Sequence, residues 1–221
     1  MVDVKITLID ADDTLWLDSI YFSELRASVI EIAMGFSDDK TAIDQTVGVI
    51  LREATAGEEG FRNAIARVSD NFGFEGPAKL RLSHAVERFR MHPVECLADA
   101  EAVIGELPGE KFLYTKGIVY EQIAKISRSG LSHLFSGVHI VQKKSRPVLA
   151  GVIQAHETEA RTIVYIGNSI KNDIVPATQI GCHAIWLNHP DNTFGRDGTI
   201  PNGVPEAVSW LEVKRIMNAF R

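Results

Sequence analysis

Cysteine is scarce in this chain, with only Cys96 and Cys182 among 221 residues. Two cysteines without a spaced framework exclude a disulfide scaffold and suit a reducing compartment. Their plain reading is as small buried apolar residues. Long hydrophobic runs are missing: none approaches the ~20 residues that a membrane span requires. The opening Met1-Val2-Asp3-Val4-Lys5 lacks the charged-then-apolar build of a signal peptide. Positive charge is not in excess either. Against 29 acidic residues stand 23 Lys and Arg, a net charge of −6, which gives no electrostatic reason for a nucleic-acid or membrane partner. The one dense basic cluster, Lys143-Lys144-Ser145-Arg146, is too short for a binding patch. Repeats and low-complexity segments are absent. What remains is an ordinary globular composition, 45% hydrophobic and 24% charged, long enough for one large domain or a core with a modest insertion. The expectation is a cytoplasmic protein.

Short β-branched apolar runs recur along the chain at Val4 to Ile9, Phe112 to Thr115, Val138 to Val141, Ile163 to Ile166 and Ala184 to Leu187. They are mostly apolar rather than alternating, as in parallel strands buried on both faces. Helical segments lie between them. Ile118 to Ser129 sets Val119, Ile123 and Ile126 on one face and meets a stop at Gly130. Pro147 to about Ala160 opens with a proline suited to a first turn. Asp173 to Ile180 is closed by Gly181. From residue 111 onward, strand and helix alternate, which predicts an α/β fold with a doubly wound parallel sheet.

Residues 17–96 break that rhythm. Stretches near 20–34, 38–55, 60–72 and 77–90 carry helical apolar spacing, with Gly57-Glu58-Glu59-Gly60 separating two of them. The sequence therefore predicts an inserted all-helical domain over 17–96, with a core built from 1–16 and 97–221.

The strongest chemical signal is Ile6-Thr7-Leu8-Ile9-Asp10-Ala11-Asp12-Asp13-Thr14-Leu15. An apolar strand runs into two carboxylates at i and i+2, then a hydroxyl at i+4. Sites in open α/β sheets form at the carboxyl ends of strands. Carboxylates gathered there need a cation or hydrogen-bond donors to offset them, and they make a natural hard-metal site. The plain alternative is an Asp-rich turn capping the strand.

This segment resembles the first motif of the haloacid dehalogenase (HAD) superfamily, and three further segments match in order. Phe112-Leu113-Tyr114-Thr115-Lys116-Gly117 is similar to the second motif, a strand ending in Thr or Ser. Lys144, after the strand at Val138 to Val141, sits where the third motif supplies a lysine, with Lys143 as its rival. Gly167-Asn168-Ser169-Ile170-Lys171-Asn172-Asp173 resembles the fourth, usually GDxxxxD. The resemblance implies a HAD-like core with a helical cap in the C1 position. It further implies a magnesium-dependent phosphohydrolase acting on a phosphate monoester of a small metabolite.

On the same resemblance Asp10 is the nucleophile that forms an aspartyl phosphate, and Asp12 protonates the leaving alkoxide and then deprotonates water. Thr115, Lys116 and Lys144 hold the phosphate, and Lys144 also offsets the charge of Asp10. Mg2+ is expected on Asp10, the backbone carbonyl of Asp12, Asn168 and Asp173. Asn168 departs from the family, which usually has an acid there; an amide coordinates through oxygen but removes one charge. Either Asn168 or Asp173 is then the direct ligand. Asp12 argues for phosphate over halide, because a leaving halide needs no proton. A phosphomutase of the same fold and a non-catalytic binding module are the competing readings.

Of the weaker features, His156-Glu157-Thr158-Glu159-Ala160 misses the second histidine of the zinc-protease pattern and reads as solvated helix. Trp16 reads as part of the turn after the first motif. Gly57, Phe61 and Arg62 lie where the family's cap carries substrate contacts, though linker glycines and a core phenylalanine are the more ordinary reading.

Overall fold

The computed structural model describes residues 3–53, 58–192 and 196–220. After β1 (Ile6–Ile9) come four helices, α1 (Ser19–Ala33), α2 (Lys40–Glu53), α3 (Glu58–Phe72) and α4 (Gly76–Arg90). Then follow α5 (Ala100–Glu106), β2 (Glu110–Lys116), α6 (Val119–Ser129), β3 (Gly137–Val141) and α7 (Arg146–Ala155). The chain continues with β4 (Ile163–Gly167), a π-helical turn over Ile170–Ile174, α8 (Val175–Ile180), β5 (His183–Leu187), the two-residue β6 (Glu206–Ala207) and α9 (Trp210–Phe220). The chain forms two compact units, Met1–Ser19 with Val94–Arg221, and Ile20–Pro93.

In the first unit all strands run parallel, in the order β3-β2-β1-β4-β5-β6. Alternation along β1 explains why the sheet is covered on both sides. Ile6 and Leu8 join a layer with Phe112, Tyr165, Leu149 of α7 and Ala177 of α8. Ile9 joins the opposite layer with Val164, Ile104 of α5, Ile126 of α6 and Trp210 of α9. The strand order turns back at β1, between β2 and β4, where the carboxyl ends of adjacent strands leave a crevice. Asp10, Thr115 and Asn168 stand at or just past those ends, and Lys144 lies in the loop after β3.

The second unit packs α1 to α4 around Leu25, Val29, Val47, Val68 and Leu82. Phe22 and Phe61 each meet Phe89, at centroid distances of 5.9 and 5.5 Å.

Three expectations change. The helix from Pro147 stops at Ala155 rather than continuing to Ala160, because Glu157 turns to φ 50. The inward face of α6 is Gln122, Lys125 and Ile126; Val119 and Ile123 are exposed. His156 is half-buried rather than solvated, with its Nε2 2.9 Å from that of His139. Of the cysteines, both free, Cys182 is buried and Cys96 only partly so.

Candidate active site

β1 delivers Asp10 into the crevice, and the backbone N–H of Asp10 still donates to Ile166 O at 2.9 Å, one residue beyond the strand. Its carboxylate is buried. Lys144 Nζ bonds Asp10 Oδ1 and reaches Asp173 Oδ1 at 2.7 Å, so one ammonium sits between two carboxylates. Burial pushes the Asp10 carboxyl up to about 7, with Lys144 the largest opposing influence. Burial works against the ammonium as well, but Asp10 and Asp173 outweigh it and hold Lys144 protonated. Lysine 144, not the exposed Lys143, therefore belongs to the site.

Asp173 anchors this lysine. Its Oδ1 also accepts from the Tyr165 hydroxyl at 2.7 Å, and its Oδ2 accepts from the Ser169 N–H at 2.9 Å. The close approach depends on Gly167, where a Cβ would lie 2.6 Å from Asp173 Cβ. Tyr165 carries no motif signal, and only the fold brings it beneath Asp173.

Asp12 points into a different set of partners. Trp16 Nε1 donates to its Oδ1 at 2.9 Å and Lys125 Nζ at 2.6 Å; Gln122 Nε2 donates to its Oδ2 at 2.8 Å. Lys125 also pairs with Asp18 at 3.0 Å. The turn that aims Asp12 is tight. Asp13 sits at φ 57, and its Oδ1 accepts from the N–H groups of Asp18 and Ser19, both at 2.9 Å. Burial raises the Asp13 carboxyl to about 6. Sequence reasoning missed Gln122 and Lys125, which read as the polar side of an amphipathic helix.

Thr115, at the end of β2, is buried, and its hydroxyl makes no hydrogen bond among the described residues. Lys116 is half-buried; burial lowers its pKa, and the charges of Lys144, Asp10, Asp173 and Asp12 all reach it. Lys116 and Lys144 thus stand within electrostatic reach of Asp10, and Thr115 lies near the end of the adjacent strand.

The donors fit magnesium in a particular way. No group of three or more His, Cys, Asp or Glu among the described residues forms a metal cage. Among the described residues the second Asp10 oxygen meets only the Thr14 hydroxyl, at 3.4 Å. The Asn168 amide is buried and makes no side-chain hydrogen bond among the described residues, while its backbone carbonyl accepts from Trp186 Nε1 at 2.7 Å. With the Asp12 carbonyl, these are hard oxygen donors carrying one formal charge. Magnesium accepts such a set where waters and substrate phosphate complete its shell. The three donors already on Asp173 speak against a direct bond from it to the metal.

Gly57 lies outside the described residues. Phe61 packs in the helical unit's own core, and Arg62 is exposed.

No family model and no curated protein matches the chain. Solved structures do. A haloacid dehalogenase-like family hydrolase from Xanthomonas campestris superposes with a TM-score of 0.81 at 25% identity, covering 99% of this chain and 94% of that one. A HAD-hydrolase from Bacillus subtilis, bound to magnesium, gives 0.67 at 19% identity, with 97% and 99% coverage. A HAD phosphatase from Thermococcus onnurineus gives 0.66 at 19%, with 97% and 98%. L-2-haloacid dehalogenases are also among the neighbours. The chain has the fold of the haloacid dehalogenase superfamily, and its structural neighbours are HAD hydrolases.

Proposed function

We propose that this chain is a magnesium-dependent phosphohydrolase that removes phosphate from a small phosphorylated metabolite through an aspartyl phosphate on Asp10. The observation that carries the reading is the buried Asp10–Lys144–Asp173 cluster at the crevice of the sheet. A buried carboxylate is a poor anion alone, and Lys144 favours the charged form of Asp10 against burial and aims it. Magnesium, held by Asp10, Asn168 and the Asp12 carbonyl, would supply charge neutralisation for the phosphoryl group. Thr115 and Lys116 bind phosphate oxygens, with Lys144 at hand to offset developing charge. As Asp10 forms its bond to phosphorus, the ester oxygen leaves with a proton from Asp12. Asp12 then takes a proton from water, which attacks phosphorus and frees Asp10.

Dehalogenases share the fold, so the fold does not separate the two chemistries. Asp12 supports phosphate: halide leaves without a proton, and three donors arranged around one carboxylate would serve no step in that reaction. Phosphate release from p-nitrophenyl phosphate, with and without magnesium, tests the reading. The parent should be active only with the metal, and Asp10→Asn should lower turnover by roughly three orders of magnitude or more with its fold intact. An active Asp10→Asn protein, or chloride release from a 2-haloacid without phosphatase activity, overturns it.

A further inference from the structure

Resting on that reading, we propose that Trp16, Lys125 and Gln122 are positioning residues that dedicate one oxygen of Asp12, Oδ2, to carrying the proton of the reaction. Each carboxylate oxygen offers two lone pairs. On Oδ1 both are taken, by Trp16 Nε1 at 2.9 Å and Lys125 Nζ at 2.6 Å. On Oδ2 one is taken, by Gln122 Nε2 at 2.8 Å, and the other meets no donor among the described residues. The Asp12 side chain is 26% exposed, against 11% for Lys125.

The clamp is rigid on each side. Lys125 is shared with Asp18 at 3.0 Å; burial opposes its charge, but the two carboxylates outweigh burial and raise its pKa above the ordinary lysine value. Gln122 reaches Asp12 past Gly117, where any Cβ would stand 2.8 Å from Gln122 Nε2. Its amide lies 3.5 Å from the Lys116 carbonyl, which ties the orientation of Asp12 to the end of β2. A proton on Oδ1 would displace Lys125 or Trp16, whereas a proton on Oδ2 leaves every bond in place, since a carboxyl oxygen bearing hydrogen still accepts from Gln122.

The atoms then balance. The ester P–O bond breaks, its electron pair goes to the leaving oxygen, and that oxygen takes the proton from Oδ2. In the second step water loses a proton to Oδ2 as its oxygen bonds to phosphorus and the Asp10–phosphorus bond breaks. Asp12 ends as it began.

The test compares the first step on two leaving groups. A burst of p-nitrophenolate and single-turnover release of alcohol from an alkyl phosphate are followed for the parent, Lys125→Met, Lys125→Arg and Gln122→Met, with thermal melts of each. Alkoxide depends on the aimed proton and p-nitrophenolate hardly does. Lys125→Met and Gln122→Met should therefore slow the alkyl phosphate about 100-fold and the aryl phosphate less than about threefold. Lys125→Arg, keeping a charged donor, should recover part of the loss. If Lys125→Met does not fold, Gln122→Met, which removes no charge, decides alone. Equal losses on both substrates, or an unaltered alkyl rate, overturn the proposal. A parent inactive on both substrates instead overturns the phosphohydrolase reading, and this inference with it.

Discussion

Lys144→Met removes the one cation between two buried carboxylates, and its cost should depend on pH. In the parent, the side chains of Lys144, Asp10 and Asp173 are 4%, 7% and 0% exposed. Breaking a buried pair by deleting one partner costs about 3–5 kcal/mol, because the other charge stays behind. Burial already holds the Asp10 carboxyl at about 7 against its ordinary 3.8, with Lys144 the largest influence pulling it down. A folded-state value above the unfolded one means that the native form binds more protons in that window, so Asp10's share of stability falls as pH rises from 3.8 to about 7. Without Lys144 the Asp10 carboxyl holds its proton to still higher pH. Stability should then keep falling above pH 7, by up to about 1.4 kcal/mol per unit. Urea unfolding of both proteins at mildly acidic and mildly alkaline pH measures this. The deficit of Lys144→Met should be larger on the alkaline side by about 1–2 kcal/mol, and adding Asp173→Asn should recover part of it there. A deficit identical at both pH values would refute the ion-cluster reasoning.

The two tyrosines beside Lys144 should respond oppositely. Tyr165→Phe deletes a 2.7 Å bond to Asp173 and should lose about 1–2 kcal/mol in urea unfolding. Tyr114→Phe removes a buried hydroxyl that has no hydrogen-bond partner among the described residues and should be neutral or stabilising. Equal losses would refute the distinction between a bonded and an unbonded hydroxyl. Restoring the usual acid with Asn168→Asp should lower the half-saturating magnesium concentration about tenfold or more, since it adds a charge to a one-carboxylate donor set. Magnesium titration of activity reads this directly, and an unmoved midpoint would place Asn168 outside the coordination sphere.

The alternation of strands and helices after residue 111 was legible because buried parallel strands are continuous apolar runs, which few other structures produce. The short pieces escaped notice for the same reason. β6 has two residues, and α5 runs only from Ala100 to Glu106, too few for a period to emerge. On α6 the apolar spacing pointed to the wrong face. Val119 and Ile123 are exposed, and Gln122 and Lys125 turn inward because a carboxylate is there to receive them. Hydrophobic periodicity cannot register a helix face that is buried against charge.

By itself, the sequence determined that Asp10 stands just past the end of β1, at the carboxyl end of a buried strand. A strand running into Asp10-Ala11-Asp12 is a local property, whereas the strand order is read from the structure. Only the tertiary structure decided between Lys143 and Lys144. Adjacent residues share one loop, and the choice rests on which ammonium reaches Asp10 and Asp173 across 134 and 29 residues of chain. It also decided the partners of Asp12. Trp16 is a local contact, but Gln122 and Lys125 arrive from 110 and 113 residues away, through the packing of α6 against the turn after β1. A buried carboxylate must find donors somewhere, and sequence shows only that the need exists.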